Sequence, residues 1–111
     1  MATVTVDMRF CERKSRITVT LREDGDLDLH IDTDCDSVRS YYSNLGGIIT
    51  VDDVTDRENS RILDPGITEP LTMTCMTPLG IINAAWLELG MLSRSRADKV
   101  GENTMIFHPE K

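Results

Sequence analysis

A period-two alternation of apolar and polar residues constrains this chain more than any other feature, and it runs through the first third. Val4, Val6, Met8 and Phe10 alternate with Thr3, Thr5, Asp7 and Arg9. Ile17, Val19 and Leu21 alternate with Arg16, Thr18, Thr20 and Arg22, and Leu27, Leu29 and Ile31 with Asp26, Asp28, His30 and Asp32. Only an extended strand puts such a series on one face. The Cys11-Glu12-Arg13-Lys14 step breaks the first series and reads as a hairpin tip. Asp24-Gly25 reads as a two-residue type I′ turn, which needs positive φ. The spacing therefore predicts a three-stranded antiparallel meander, apolar on one side and polar on the other.

An apolar sheet face needs a cover. Val38, Tyr41, Tyr42 and Leu45 fall on one stripe of a helix over 36–46, with Asp34 or Asp36 to cap it and Gly46-Gly47 to end it. Residues 48–63 suggest a short irregular helix, Asp64-Pro65-Gly66 a turn, and Leu71 to Thr74 a short extended piece. Thr77-Pro78 opens a second helix over 78–89, with Thr77 as N-cap and Gly90 as stop. Leu79, Ile81, Ile82, Ala84, Ala85, Trp86, Leu87 and Leu89 leave it almost no polar face, so it is expected to be the most buried helix, with Ile82 in the core. Residues 91–102 read as a loop, and Thr104 to His108 as an added edge strand. The expected fold is α+β, a two-layer single domain over 1–111, in which helices cover one face of an antiparallel sheet of three to four strands.

Charge and cysteine usage narrow the function. Nineteen acidic against 12 basic residues give a net charge of −7, which leaves no basic footprint for nucleic acid. No apolar run approaches the ~20 residues of a membrane span. The alternating first ten residues do not resemble a signal peptide, so the cytoplasm is the expected compartment. Three cysteines are an odd number and do not make a disulfide framework. They are buried apolar thiols, reactive thiols or metal ligands. Cys11 lies at the first hairpin tip, Cys35 where strand three meets the first helix, and Cys75 just before the second helix. Strand three returns to the end of the sheet that holds the Cys11 tip, and Cys75 joins them if the long helix starts there. Thiolates converging from separate loops are what zinc or an iron–sulfur cluster takes, and helix N-termini favour the thiolate form. His30 and His108 have no thiolate partner in the sequence. Asp32, Asp34 and Asp36 lack the glycine and final glutamate of a calcium loop.

The order of these elements resembles the U-type iron–sulfur scaffold family (IscU and the N-terminal part of NifU). The resemblance rests on the spacing of Cys11, Cys35 and Cys75, and on Leu71-Thr72-Met73-Thr74-Cys75 followed by Ile81-Ile82-Asn83-Ala84-Ala85. It implies a U-type two-layer fold and a cluster held by the three cysteines. The family's aspartate after its first cysteine is Arg13 here, and the residue before its third cysteine is Thr74. Glu12, Asp34 and Asp36 are then the candidates for a fourth ligand.

Over nearly its whole length the chain is also similar to a small uncharacterised family of anaerobic bacteria and archaea with dispersed cysteines. That likeness rests on Phe10-Cys11, Thr33-Asp34-Cys35 and Cys75-Met76-Thr77-Pro78-Leu79. The last of these steps is similar to the Cys-Pro-x-Pro motif of sulfur carriers. The leading expectation is a metal- or cluster-binding, scaffold-like protein that works through three thiolates, without catalytic turnover of its own and with protein partners. The alternatives are a homodimeric interaction module with buried structural cysteines, and a sulfur carrier that uses Cys75.

Overall fold

A computed structural model describes residues 1–110. The alternating segments form β1 (Ala2–Met8), β2 (Arg13–Leu21) and β3 (Leu27–Thr33), followed by α1 (Asp36–Leu45), β4 (Ile48–Ile49) and α2 (Val51–Thr55). Then come α3 (Pro65–Thr68), α4 (Thr77–Glu88) and α5 (Arg94–Val100). The sheet is antiparallel throughout, in the order β1-β2-β3-β4. This is the expected α+β class, with helices packed against an antiparallel sheet.

The register explains the core. Val4 stands opposite Ile17, which stands opposite Ile31, while Ala2 and Leu29 flank Val19 on either side. Val6, Ile17, Val19, Leu27, Leu29 and Ile31 pack in one cluster with Val38, Tyr41 and Leu45 of α1 and with Ile81, Ala84 and Ala85 of α4. Most polar residues of the strands stay on the opposite face; Ser15, opposite Val6, is buried on the core side. Gly80 lets α4 settle onto the sheet: a Cβ there would stand 2.4 Å from Val6 Cγ2 and 2.8 Å from Ile17 Cδ1.

The segment between the main helices is held by polar anchors. Thr50 and Asp53 form a reciprocal capping box at the start of α2. Burial works against the Asp53 charge. The Arg61 guanidinium at 2.6 Å and the backbone N–H groups of Thr50 and Arg61 outweigh it and hold the carboxyl below its usual range. Arg61 also donates to the carbonyls of Leu45 and Ile48. The buried hydroxyl of Tyr41 donates to the Ile62 carbonyl at 2.9 Å, and the Trp86 indole to the Val54 carbonyl at 2.7 Å.

Several local expectations are corrected. The fourth strand is β4, paired with Leu27 and Asp28, and not 104–108; residues 101–110 carry no regular structure and are exposed. A helix, α5, stands where a loop was expected, because Ser93 accepts from the Arg96 N–H and caps it. Asp64-Pro65-Gly66 opens the short helix α3 for the same reason, with Asp64 accepting from Gly66 and Ile67. Leu71 to Thr74 forms bends and turns and no extended piece. Neither Asp34 nor Asp36 caps α1: Cys35 is the N-cap residue and no side chain caps it. The N-cap of α4 is Met76, one residue before Thr77. β1 stops at Met8, which leaves Phe10 outside against Phe107 with ring centroids 4.7 Å apart. Leu21 is exposed, because β2 ends there and its N–H is taken by Glu88. In α4 the fully buried isoleucine is Ile81, and Ile82 is half-buried.

Candidate functional site: a cleft lined by three cysteines

The polar hydrogen bonds of one sheet end build the site. Ser15 stands opposite Thr33, and their hydroxyls are 2.8 Å apart. The Thr33 hydroxyl accepts from the Cys35 N–H at 3.1 Å, which fixes Cys35 where β3 hands over to α1. Arg39 reaches back from α1 to the Thr33 carbonyl at 2.9 Å. On the neighbouring hairpin the Cys11 N–H donates to the Met8 carbonyl at 3.1 Å, so the chain reverses within a few residues, with Glu12 left-handed at φ 56°. Cys75 closes a turn by donating its N–H to the Thr72 carbonyl at 3.1 Å, just before α4. Its Sγ–H donates to the buried Thr77 hydroxyl at 3.3 Å.

Together these segments enclose a cleft of about 90 Å³. Cys11, Cys35 and Cys75 all line it, along with Met8, Arg13, Ser15 and Thr77. Cys11 is exposed on its turn, whereas Cys35 and Cys75 are half-buried. Burial, and behind it the nearby Cys75 and Asp53 charges, pushes the Tyr41 hydroxyl far above its ordinary range, so this side of the site grades into the core. Among the described residues, no three His, Cys, Asp or Glu side chains stand close enough together to grip one ion. The thiols share a wall without forming a closed cage.

The candidates for a fourth ligand lie elsewhere. Asp34 faces Arg13 at 3.9 Å on the surface, Asp36 pairs with Arg39 at 2.6 Å, and Glu12 points into solvent from the turn. None of the three lines the cleft. Met8 and Arg13 do, and neither was singled out from the sequence. The signal for Met8 was available: it is the last inward residue of β1 and therefore the one nearest the Cys11 turn.

A larger depression of about 330 Å³ lies on the polar sheet face, lined by Thr5, Lys14, Arg16, Asp32, Thr33 and Asp34. It is open, carries both signs of charge and holds no thiol or imidazole. It is the ordinary polar face of a sheet covered on one side. Among the described residues no helix is long and apolar enough to cross a membrane.

Comparison with curated proteins and with solved structures finds no match. A family model matches residues 2–100, which takes in the whole sheet, α1 to α5 and all three cysteines, and it carries no tie to the U-type scaffolds. The chain belongs to a family of unknown function, DUF6951.

Proposed function

We propose that this protein binds a thiophilic metal or metal cluster through Cys11, Cys35 and Cys75 and delivers or holds it without turnover of its own. The observation that carries this reading is the shared cleft: three cysteines separated by long stretches of sequence line one small cavity at one end of the sheet. Three free thiols scattered through a core would rarely meet in this way. Zinc and an iron–sulfur cluster both take thiolates, and the donor chemistry of the cleft fits either. Binding draws the exposed Cys11 turn toward the two half-buried thiols, because no closed cage is preformed.

A protein prepared without oxygen should contain stoichiometric zinc, or iron with sulfide and a visible absorption. Metal-free protein titrated with Co(II) should develop the intense near-ultraviolet bands of thiolate-to-cobalt charge transfer. Replacing each cysteine by serine should weaken those bands. A colourless, metal-free protein that gives no such bands would overturn the reading and leave an interaction module with structural thiols.

One observation supports a second reading, the sulfur carrier. Cys75 alone of the three cysteines has a hydroxyl hydrogen-bonded to its sulfur, that of Thr77 in the first turn of α4. The Cys75 thiolate would attack the outer sulfur of a donor persulfide, gaining an S–SH group and releasing the donor as its thiolate. Persulfide trapped at Cys75, in protein that takes no metal, would favour it.

A further inference from the structure

Met8 brings a fourth sulfur to the same cleft. It ends β1, is half-buried, and its thioether accepts the Met76 N–H at 3.5 Å. The strand end and the start of α4 thus set the position of this sulfur beside the segment that carries Cys75. Among the described residues no histidine, aspartate or glutamate lines the cleft, so its donors there are three thiols, one thioether and a few hydroxyls. Arg13, directly opposite Met8 across the hairpin, is the one charged residue in the wall among the described residues.

From this donor set we propose that the cleft selects a soft monovalent cation, the cuprous ion, and that Met8 is one of its ligands. The inference rests on the thiolate-metal reading above and names its cargo. Hard cations require oxygen donors, which the wall supplies only as neutral hydroxyls. Zinc takes thiolate, imidazole and carboxylate, and a thioether adds little for it. Thiolate together with thioether is the donor pair suited to copper(I). A cuprous ion is content with two or three sulfurs; among the described residues no three His, Cys, Asp or Glu side chains stand together, so binding draws the sulfurs that line the cleft in around the ion. A single positive charge among several thiolates leaves the site anionic, and the Arg13 guanidinium offsets part of that excess.

The test uses the whole chain under anaerobic conditions, with cuprous ion supplied against a chromogenic cuprous chelator and zinc ion against a chromogenic zinc chelator. The variants are Met8→Leu, which conserves volume, and Cys75→Ser. Thermal melts of both variants near that of the parent establish that they are folded. Met8→Leu should weaken cuprous binding by about tenfold or more and leave zinc binding unchanged. X-ray absorption of the copper-loaded protein should lose one sulfur neighbour in that variant. Cys75→Ser should weaken both ions.

If Met8→Leu changes neither the affinity nor the sulfur count, Met8 is not a ligand and the inference falls. If zinc binds in preference to copper, the inference falls while the thiolate site stands. If neither ion binds the parent protein, both readings fall together.

Discussion

Adding one methyl group at Gly80 tests how α4 sits on the sheet. Gly80 is buried in the first turns of α4, and an alanine Cβ there would lie 2.4 Å from Val6 Cγ2 and 2.8 Å from Ile17 Cδ1. Carbon atoms pack at about 3.5–4.0 Å, so the contact with Val6 is roughly 1 Å too short. The Ile17 methyl is the end of a flexible side chain and can turn away. Val6 is β-branched and held in a strand, so its methyl moves only with the backbone. Overpacking of this kind costs about 1–3 kcal/mol, while replacing glycine in a helix returns about 1 kcal/mol. Gly80→Ala should therefore destabilise by up to about 2 kcal/mol, a fall in Tm of up to roughly 10 °C for a chain of this size.

Urea denaturation followed by circular dichroism measures this, with an unchanged slope showing that the same transition is observed. The variant Val6→Ala removes the obstructing methyl, so the Val6→Ala/Gly80→Ala pair should be more stable than the sum of the two single effects, by about 1 kcal/mol. A stabilised Gly80→Ala, as expected for a glycine on the open side of a helix, would refute the seating of α4 on β1 and β2.

Two further expectations concern the core and its anchor. Ile81→Ala should cost about 2–5 kcal/mol and Ile82→Ala clearly less, since only Ile81 is fully buried; equal losses in chemical denaturation would place the helix face wrongly. Asp53→Ala removes the capping box and the Arg61 partner and should cost about 1–3 kcal/mol near neutral pH. Because the folded protein holds the Asp53 carboxyl below its unfolded value, its contribution is fully present above the ordinary carboxylate range and is lost as pH falls through the folded value. The gap between parent and variant should thus close in acid, and a gap that stays constant in denaturation curves down to low pH would count against the ion pair.

The sheet was legible because its signal is local: strict alternation names the strands and their inward faces. The turn at Asp24-Gly25 was not: only Gly25 takes positive φ, Arg22 pairs with Asp26, and Leu21 stands opposite Leu27, a register one residue away from that of a two-residue type I′ turn. α1 and α4 were legible for the same reason, through their apolar spacing and the Thr77-Pro78 start. The short pieces were not. Asp64 and Ser93 cap α3 and α5, but a side-chain oxygen before a short polar run reads equally well as a turn. Residues 104–108 alternate as a strand does, yet an added strand needs a free sheet edge to pair with, which is a tertiary matter that alternation does not encode. Likewise α4 is apolar all round, so the sequence did not say which isoleucine meets the sheet; Gly80 decides it by opening the face that carries Ile81. The candidate site was half legible. The meander topology implied that Cys11 and Cys35 share an end, but the contribution of Met8 depends on how far β1 runs before it stops, and the outward turn of Asp34 and Asp36 goes with their ion pairs to Arg13 and Arg39.

The meander and its cover are far apart in the order of synthesis. β1, β2 and β3 are complete once Thr33 has been made, whereas α4 begins only at Thr77. At ~5–20 residues per second a ribosome needs several seconds to make the intervening stretch. Throughout that interval Val6 and Ile17 lack α4, and a nascent chain stalled before α4 presents a sheet that α1 covers only in part, with the greasy side of β1 and β2 left open. The newborn polypeptide is therefore most in need of chaperone protection over its middle third, and the same gap makes truncated products ending before α4 the form most prone to aggregate.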